Sequence, residues 1–86
     1  MAKVEMYCSG FCSYCVMAKR LFETKGIEYT EYRIDEKPEL RPEMEQRSRQ
    51  RTVPQIFIND HHVGGYTDLA QLDRNDELDI MLAGNS

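Results

Sequence analysis

The chain has 86 residues, with eleven Lys and Arg against fifteen Asp and Glu and a formal net charge of −4. That length suits a single domain spanning residues 1–86, and the acidic balance leaves no broad basic surface for nucleic acid. No apolar run approaches the roughly 20 residues that cross a bilayer, and the start of the chain runs into a strand pattern without the apolar core of a secretory leader, so a cytoplasmic protein with no membrane partner is expected. The three cysteines crowd into positions 8 to 15, whereas a disulfide-stapled domain spreads its cysteines along the chain. They read as cysteines kept for chemistry.

In chain order, Lys3 to Tyr7 alternates polar and apolar residues and predicts a half-buried strand. Cys8 to Phe11 is a loop. Met17, Leu21 and Phe22 then fall at helical spacing, with Lys19, Arg20 and Glu23 opposite, and predict a helix to about Lys25 closed by Gly26 in the left-handed conformation. Ile27 to Ile34 alternates again, as a second strand from Glu28 to Arg33. Asp35 to Pro38 is a turn, with Asp35 or Lys37 near a helix cap and Pro38 suited to the first helical position. The polar helix that follows carries Leu40, Met44 and Arg47; it starts there or at Pro42, which is tolerable only in a first turn. Glu43, Glu45, Arg47 and Arg49 read as its solvated face.

Val53 to Ile58 predicts a buried strand entered through Pro54, and Asn59-Asp60 is a two-residue hairpin turn of the positive-φ type. His61 to Val63 returns as a short exposed strand with no chemical role for either histidine. Gly64-Gly65 ends it, Thr67 or Tyr66 caps a helix carrying Leu69 and Leu72, and Asp76 to Leu82 closes the chain as a last helix. The order is β-α-β-α-β-β-α plus a C-terminal helix. With a right-handed crossover at the start and a hairpin at the end, it implies an α/β fold: one four-stranded mixed sheet flanked by helices.

The chemistry gathers at Cys12-Ser13-Tyr14-Cys15, where the first strand gives way to the first helix. Cys12 lies just outside the first turn and Cys15 inside it. Unpaired N–H groups and the positive end of the helix dipole favour a thiolate there, and can lower a cysteine pKa from about 8.5 to roughly 3.5–7.5. Cys12 is the expected nucleophile and Cys15, one turn on, the expected resolving thiol. A structural zinc pair needs four ligands, and the chain offers only Cys8, Cys12, Cys15 and His61 or His62, with no second Cys-x-x-Cys. The spacing of Cys8, Cys12 and Cys15 also matches the cluster motif of radical-SAM enzymes, which need a far larger barrel than 86 residues can build. Cys8 reads as a small strand-end residue. Taken alone, Pro54 reads better as an edge-strand proline and Gly64-Gly65 as a strand terminator, while Asp68 reads equally as a dipole-matched first-turn acid and Tyr14 as a surface residue or a ligand contact.

A Cys-x-x-Cys between strand and helix in a βαβ pattern is a thioredoxin-like redox signature. From Val4 to about Leu82 the chain resembles the glutaredoxins, above all the small bacterial dithiol ones. Three blocks carry the resemblance: Cys12-Ser13-Tyr14-Cys15, Thr52-Val53-Pro54-Gln55-Ile56-Phe57, and Gly64-Gly65-Tyr66-Thr67-Asp68-Leu69. It implies a thioredoxin fold and a glutathione-dependent thiol–disulfide oxidoreductase acting on glutathionylated or disulfide-containing proteins, with glutathione as co-substrate. It further implies that Pro54 is cis and faces Cys12, and that Val53 pairs by its backbone with the cysteinyl part of glutathione. Gly65 would let backbone approach that ligand, with Tyr14 and Thr52 beside it. Thr67 and Asp68 would hold its γ-glutamyl end, and Arg41, or Arg51, its glycine carboxylate.

Two positions depart from the family pattern: Ser13 stands where dithiol members carry Pro, and Ser9 where many carry a Lys. Some family members with such a serine bind a [2Fe–2S] cluster between two subunits, so the resemblance also offers an iron–sulfur carrier with Cys12 as a cluster ligand. A dedicated electron donor served by thioredoxin reductase is the other rival. A monomer is expected, and a dimer only if a cluster bridges it.

Overall fold

In the computed structural model, which describes residues 2–83, the chain forms β1 (Val4–Cys8), α1 (Ser13–Thr24), β2 (Thr30–Arg33) and α2 (Leu40–Ser48). It continues through β3 (Gln55–Ile58), β4 (His61–Gly64), α3 (Tyr66–Arg74) and α4 (Glu77–Ala83). The sheet order is β2-β1-β3-β4, with β1 parallel to β2 and antiparallel to β3, and β3 antiparallel to β4. The expected α/β order and mixed sheet are therefore present. The positive-φ hairpin turn is present too, at Asn59 (φ 52°) and Asp60 (φ 67°), and Gly26 leaves α1 at φ 68°.

The alternation in β1 predicts one wet face, but all five residues are buried. β1 is a central strand with helices on both sides, so each face has its own core. Val4, Met6 and Cys8, with Ile56 and Ile58, pack under Cys15, Ala18 and Phe22 of α1 and Leu69, Leu78 and Leu82 of α3 and α4. Tyr7 and Phe57, on the other face, pack with Ile34 and Met44. Glu5 lies on that second face, only 5% exposed, and α2 supplies what its charge needs. Arg47 Nη2 reaches Glu5 Oε1 at 3.2 Å and Tyr32 Oη donates to Glu5 Oε2 at 2.9 Å. Arg47 also lies 4.0 Å above the Phe57 ring and donates to Tyr7 Oη, whose own proton goes to Glu43. Arg47 thus leaves the solvated face assigned to it, because a buried carboxylate on the sheet is stable only when paired, while Glu43 stays exposed.

Several boundaries shift for local reasons. β2 begins at Thr30 and β3 at Gln55, so Val53-Pro54 stands outside the ladder. Pro38 precedes α2, its carbonyl accepting from Arg41 N, and Glu39 is the cap; Pro42 sits in the first turn as required. Asp35 does not cap α2. Its carboxylate accepts from Gly10 N at 3.1 Å and grips Arg33 at 2.8 Å, tying β2 to the loop after β1. The cap of α3 is Gly65, not Tyr66 or Thr67.

Burial opposes ionisation of Glu5, yet the hydrogen bonds from Arg47 and Tyr32 outweigh it and hold the carboxyl below its usual range. A carboxyl depressed in the folded state stabilises above its unfolded pKa and stops doing so as pH falls through the folded value. Arg47→Ala should therefore cost about 2 kcal/mol at neutral pH, measured by urea denaturation. The difference from the parent should shrink below about pH 4; a cost that did not vary with pH would contradict the pairing.

Candidate active site

The site begins where β1 ends. Cys12 has extended backbone (φ −118°, ψ 108°) and caps α1: its Sγ accepts the Cys15 amide at 3.2 Å, and its carbonyl accepts from Val16 N. The position expected from the sequence, with Cys12 outside the first turn and Cys15 inside, is the one observed. All three cysteines are free thiols. Cys12 is partly exposed, whereas Cys15 and Cys8 are wholly enclosed.

Facing Cys12 is the loop before β3. Its Val53–Pro54 peptide bond is cis, and the Val53 carbonyl stands 3.5 Å from Cys12 Sγ as acceptor of the thiol proton. Beneath the loop lies Gln55, 1% exposed. Its Nε2 donates to Thr52 O at 3.0 Å and Gln50 Oε1 at 3.1 Å, and its Oε1 pairs with His62 Nε2 at 2.7 Å. His62 is therefore half-buried against Phe57 and bonded, rather than an idle exposed residue; burial lowers its pKa and keeps the ring neutral.

A groove of about 370 Å³ runs past this loop. Of the residues expected around a ligand, Tyr14, Thr52, Val53, Pro54, Gly65, Thr67 and Asp68 all line it. Tyr14 stacks on Tyr66 with ring centroids 6.1 Å apart. Arg41 does not line the groove: its Nη1 donates to the Arg51 carbonyl at 2.9 Å and its charge lies 3.9 Å from Glu45. Gln50, Gln55 and Tyr66 do line it and were missed. Gln55 could have been suspected, as a polar residue inside an apolar strand run; nothing in the sequence marks Gln50. Gly64 has φ 116°, and a Cβ there would run into the Asp68 carboxylate, so this glycine makes room for Asp68. Asp68 Oδ2 in turn accepts the Gly65 amide at 3.1 Å and closes the N-terminus of α3.

The three sulfurs titrate as one cluster. Cys15 is lowered to about 6, first by a hydrogen bond from the Cys8 thiol and, against its own burial, by the Cys12 thiol, the Ser9 amide and Lys19. Cys12 is raised, by burial and by its bond to Cys15, against the pull of the Cys15 and Tyr14 amides. The first negative charge therefore belongs to Cys12 and Cys15 together, with the Cys15 and Tyr14 amides favouring it on Cys12 at the helix start.

A glutaredoxin family model matches residues 4–63. The chain belongs to the glutaredoxin family. It is 51% identical over 83 residues to a glutaredoxin of Neisseria meningitidis, covering 95% of this chain and 98% of that protein. To glutaredoxin 3 of Escherichia coli it is 46% identical over 82 residues, covering 95% and 99%. The solution structure of a Brucella melitensis glutaredoxin superposes with a TM-score of 0.82 at 45% identity, covering 95% of this chain and 89% of that one. A buckwheat glutaredoxin–glutathione complex superposes with a TM-score of 0.87 at 28% identity, covering 94% and 76%. As a glutaredoxin with this fold, the chain has the role of a thiol–disulfide oxidoreductase.

The sulfur cluster makes the stability of the reduced protein depend on pH. Between about 6 and the ~8.5 of an unfolded thiol, Cys15 binds fewer protons folded than unfolded, so stability should rise with pH. Above that window it should fall, because folded Cys8 and Cys12 retain protons that the unfolded chain has shed. Urea denaturation under reductant across this range should trace the peak, and Cys15→Ser should remove the rising limb. A flat parent profile would sink this account.

Proposed function

We propose that this glutaredoxin is a glutathione-dependent oxidoreductase that reduces protein–glutathione mixed disulfides and protein disulfides. One observation carries the reading: Cys12 is the partly exposed sulfur of the cluster and faces the Val53 carbonyl of the groove loop, while Cys15 lies directly behind it with no exposure. Only Cys12 can meet a substrate sulfur, and only Cys15 can meet Cys12 from within.

With a glutathionylated protein, Cys12 acts as the thiolate and attacks the glutathionyl sulfur. The Cys12–glutathione bond forms, the mixed disulfide breaks, and the protein thiolate leaves with the electron pair. A second glutathione thiolate then attacks the glutathionyl sulfur, restoring Cys12 and yielding glutathione disulfide. With a protein disulfide, Cys12 forms a mixed disulfide with one sulfur. Cys15 then attacks Cys12 Sγ and releases the substrate thiolate, and two glutathiones reopen the internal disulfide. Ionisation of Cys12 also frees the Val53 carbonyl, which an extended ligand backbone can pair with as an added strand. The α3 N-terminus offers amides to a ligand carboxylate, and Asp68 keeps a carboxylate oxygen for an ammonium group.

Cysteines grouped for redox chemistry rather than spread as staples suit a reducing compartment, which supports the cytoplasm, and among the described residues no helix is long and apolar enough to cross a membrane. The groove favours glutathione over service by thioredoxin reductase. A [2Fe–2S] carrier would have Cys12 as its single exposed thiol from this chain, since Cys8 and Cys15 are enclosed. That is the same sulfur the catalytic reading uses, and we assign Cys12 to catalysis.

Cys12→Ser should abolish all thiol transfer. Cys15→Ser should keep deglutathionylation, the charge falling to Cys12 itself, and lose reduction of protein disulfides. Coupled assays with a glutathionylated peptide and a disulfide-bonded protein separate the two, and the reverse pattern would exchange the roles.

Asp68→Asn retains an acceptor for the Gly65 amide and removes the charge. A charge-assisted hydrogen bond is worth about 1.5–3 kcal/mol, so KM for the glutathionylated substrate should rise about ten-fold or more. Arg41→Ala should cost no more than an exposed ion pair, about 0–1 kcal/mol. A larger loss at Arg41 than at Asp68 would refute this placement of the ligand.

A further inference from the structure

Among the described residues the large apolar side chains left on the surface are Phe11, Tyr14, Val16, Met17 and Ile80, and four of these five fall between positions 11 and 17, around Cys12. Single exposed apolar residues are ordinary on a protein surface, but a group of them beside a reactive atom marks a place where another molecule sits. Tyr14 is accounted for, because it stacks on Tyr66 at the groove. Phe11, Val16 and Met17 do not line the groove. On α1, Cys15, Ala18 and Phe22 turn to the core, so Val16 and Met17 face outward beside Ser13, one turn away. Phe11 is the extreme case, at 98% exposure.

The loop that carries Phe11 is fixed on either side of it. Before it, the Cys8 carbonyl accepts from Ile34 N at 3.0 Å and the Gly10 amide donates to Asp35 Oδ2 at 3.1 Å. Arg33, forked onto Asp35, lies so close to Gly10 that a Cβ there would strike its guanidinium. After it, Cys12 caps α1. An aromatic ring presented between two fixed residues loses little freedom when something covers it. What covers it follows from the chemistry. When Cys12 is disulfide-bonded to a substrate protein, the two cysteine Cα atoms stand about 4.4–6.8 Å apart. Phe11 is the residue next to Cys12, about 3.8 Å away along the chain, so the residue flanking the substrate's cysteine comes within its reach. We propose that Phe11, with Val16 and Met17, forms a docking surface for the substrate protein and selects disulfides whose cysteine is flanked by a large apolar side chain. The proposal rests on Cys12 attacking protein disulfides. In that attack the Cys12–substrate bond forms, the substrate disulfide breaks, and its other sulfur leaves as a thiolate. The flanking side chain is covered by Phe11 while the mixed disulfide lasts. Cys15 then attacks Cys12 Sγ, the Cys12–substrate bond breaks, and the substrate leaves reduced with the Cys12–Cys15 pair oxidised.

The test uses a short peptide joined to its own copy through its one cysteine, so that attack on either sulfur is the same reaction. Two versions carry Leu or Ser beside that cysteine. The reduced full chain is mixed with each in a single turnover, and release of peptide thiol is followed. The parent should reduce the Leu peptide about ten-fold faster than the Ser peptide, the scale of one aromatic anchor at an interface. Phe11→Ala should remove this preference by slowing the Leu peptide alone, and Phe11→Leu should keep most of it. Turnover of the mixed disulfide of glutathione and mercaptoethanol, which has no flanking residue, should be unchanged in both variants. Equal rates for the two peptides in the parent, a preference that survives Phe11→Ala, or a loss shared by the small mixed disulfide would each overturn the proposal. Failure of the reading beneath it is distinguishable: the parent would then leave both peptides unreduced, or Cys12→Ser would still reduce them.

Discussion

The sulfur of Cys12 is held between two backbone groups from distant parts of the chain. The Cys15 amide, at the start of α1, donates to it, and the carbonyl of Val53, in the loop before β3, accepts from it. Most of the remaining structure serves to keep those two groups facing each other. β1 pairs with β3 and so brings the loop at the start of β3 alongside the loop at the end of β1. α1 packs Cys15, Ala18 and Phe22 onto the same face of the sheet, which fixes where its N-terminus points. A shift of either element would break a bond to the reactive sulfur before it exposed any core.

The opposite face of the sheet supports the loop by different means. Arg47 draws α2 against β1 through Glu5 and Tyr7, and α2 ends where the segment leading to Thr52 begins. Gln55 then satisfies Thr52 and Gln50 from below while His62 holds its other end. Among the described residues, every buried side-chain nitrogen and oxygen has a partner. The groove wall is therefore a set of saturated polar contacts rather than a free loop, which is how a ligand site retains its shape before a ligand arrives.

The electrostatics divide the labour among three sulfurs of one residue type. Exposure lets Cys12 reach a substrate, while the hydrogen-bond donors around Cys15 favour its charged form against its own burial. Burial beside a carboxylate keeps Cys8 protonated. Identical side chains acquire different roles because desolvation and hydrogen bonding act on each separately.

What the sequence determined by itself is what depends on near neighbours in the chain. The helix start at Cys12, the Gly26 stop, the Asn59-Asp60 turn and the apolar periods of α1 and β3 are set by backbone sterics and local hydrogen bonding, and all are as read. The three motif blocks also carried the family and seven of the eight residues expected around the groove. What the sequence could not decide involves partners far apart along the chain. Glu5 reads as a wet strand position because alternation cannot show that Arg47, 42 residues on, will cover it. Arg41 reads as a ligand residue because its charge is visible and its attachment to the Arg51 carbonyl is not. Cys8 and Cys15 share one core only because β1 lies under α1, which their spacing along the chain does not show. Local chemistry places a side chain on an element, but only the packing of elements sets what that side chain meets, and a group's charge and role follow from what it meets.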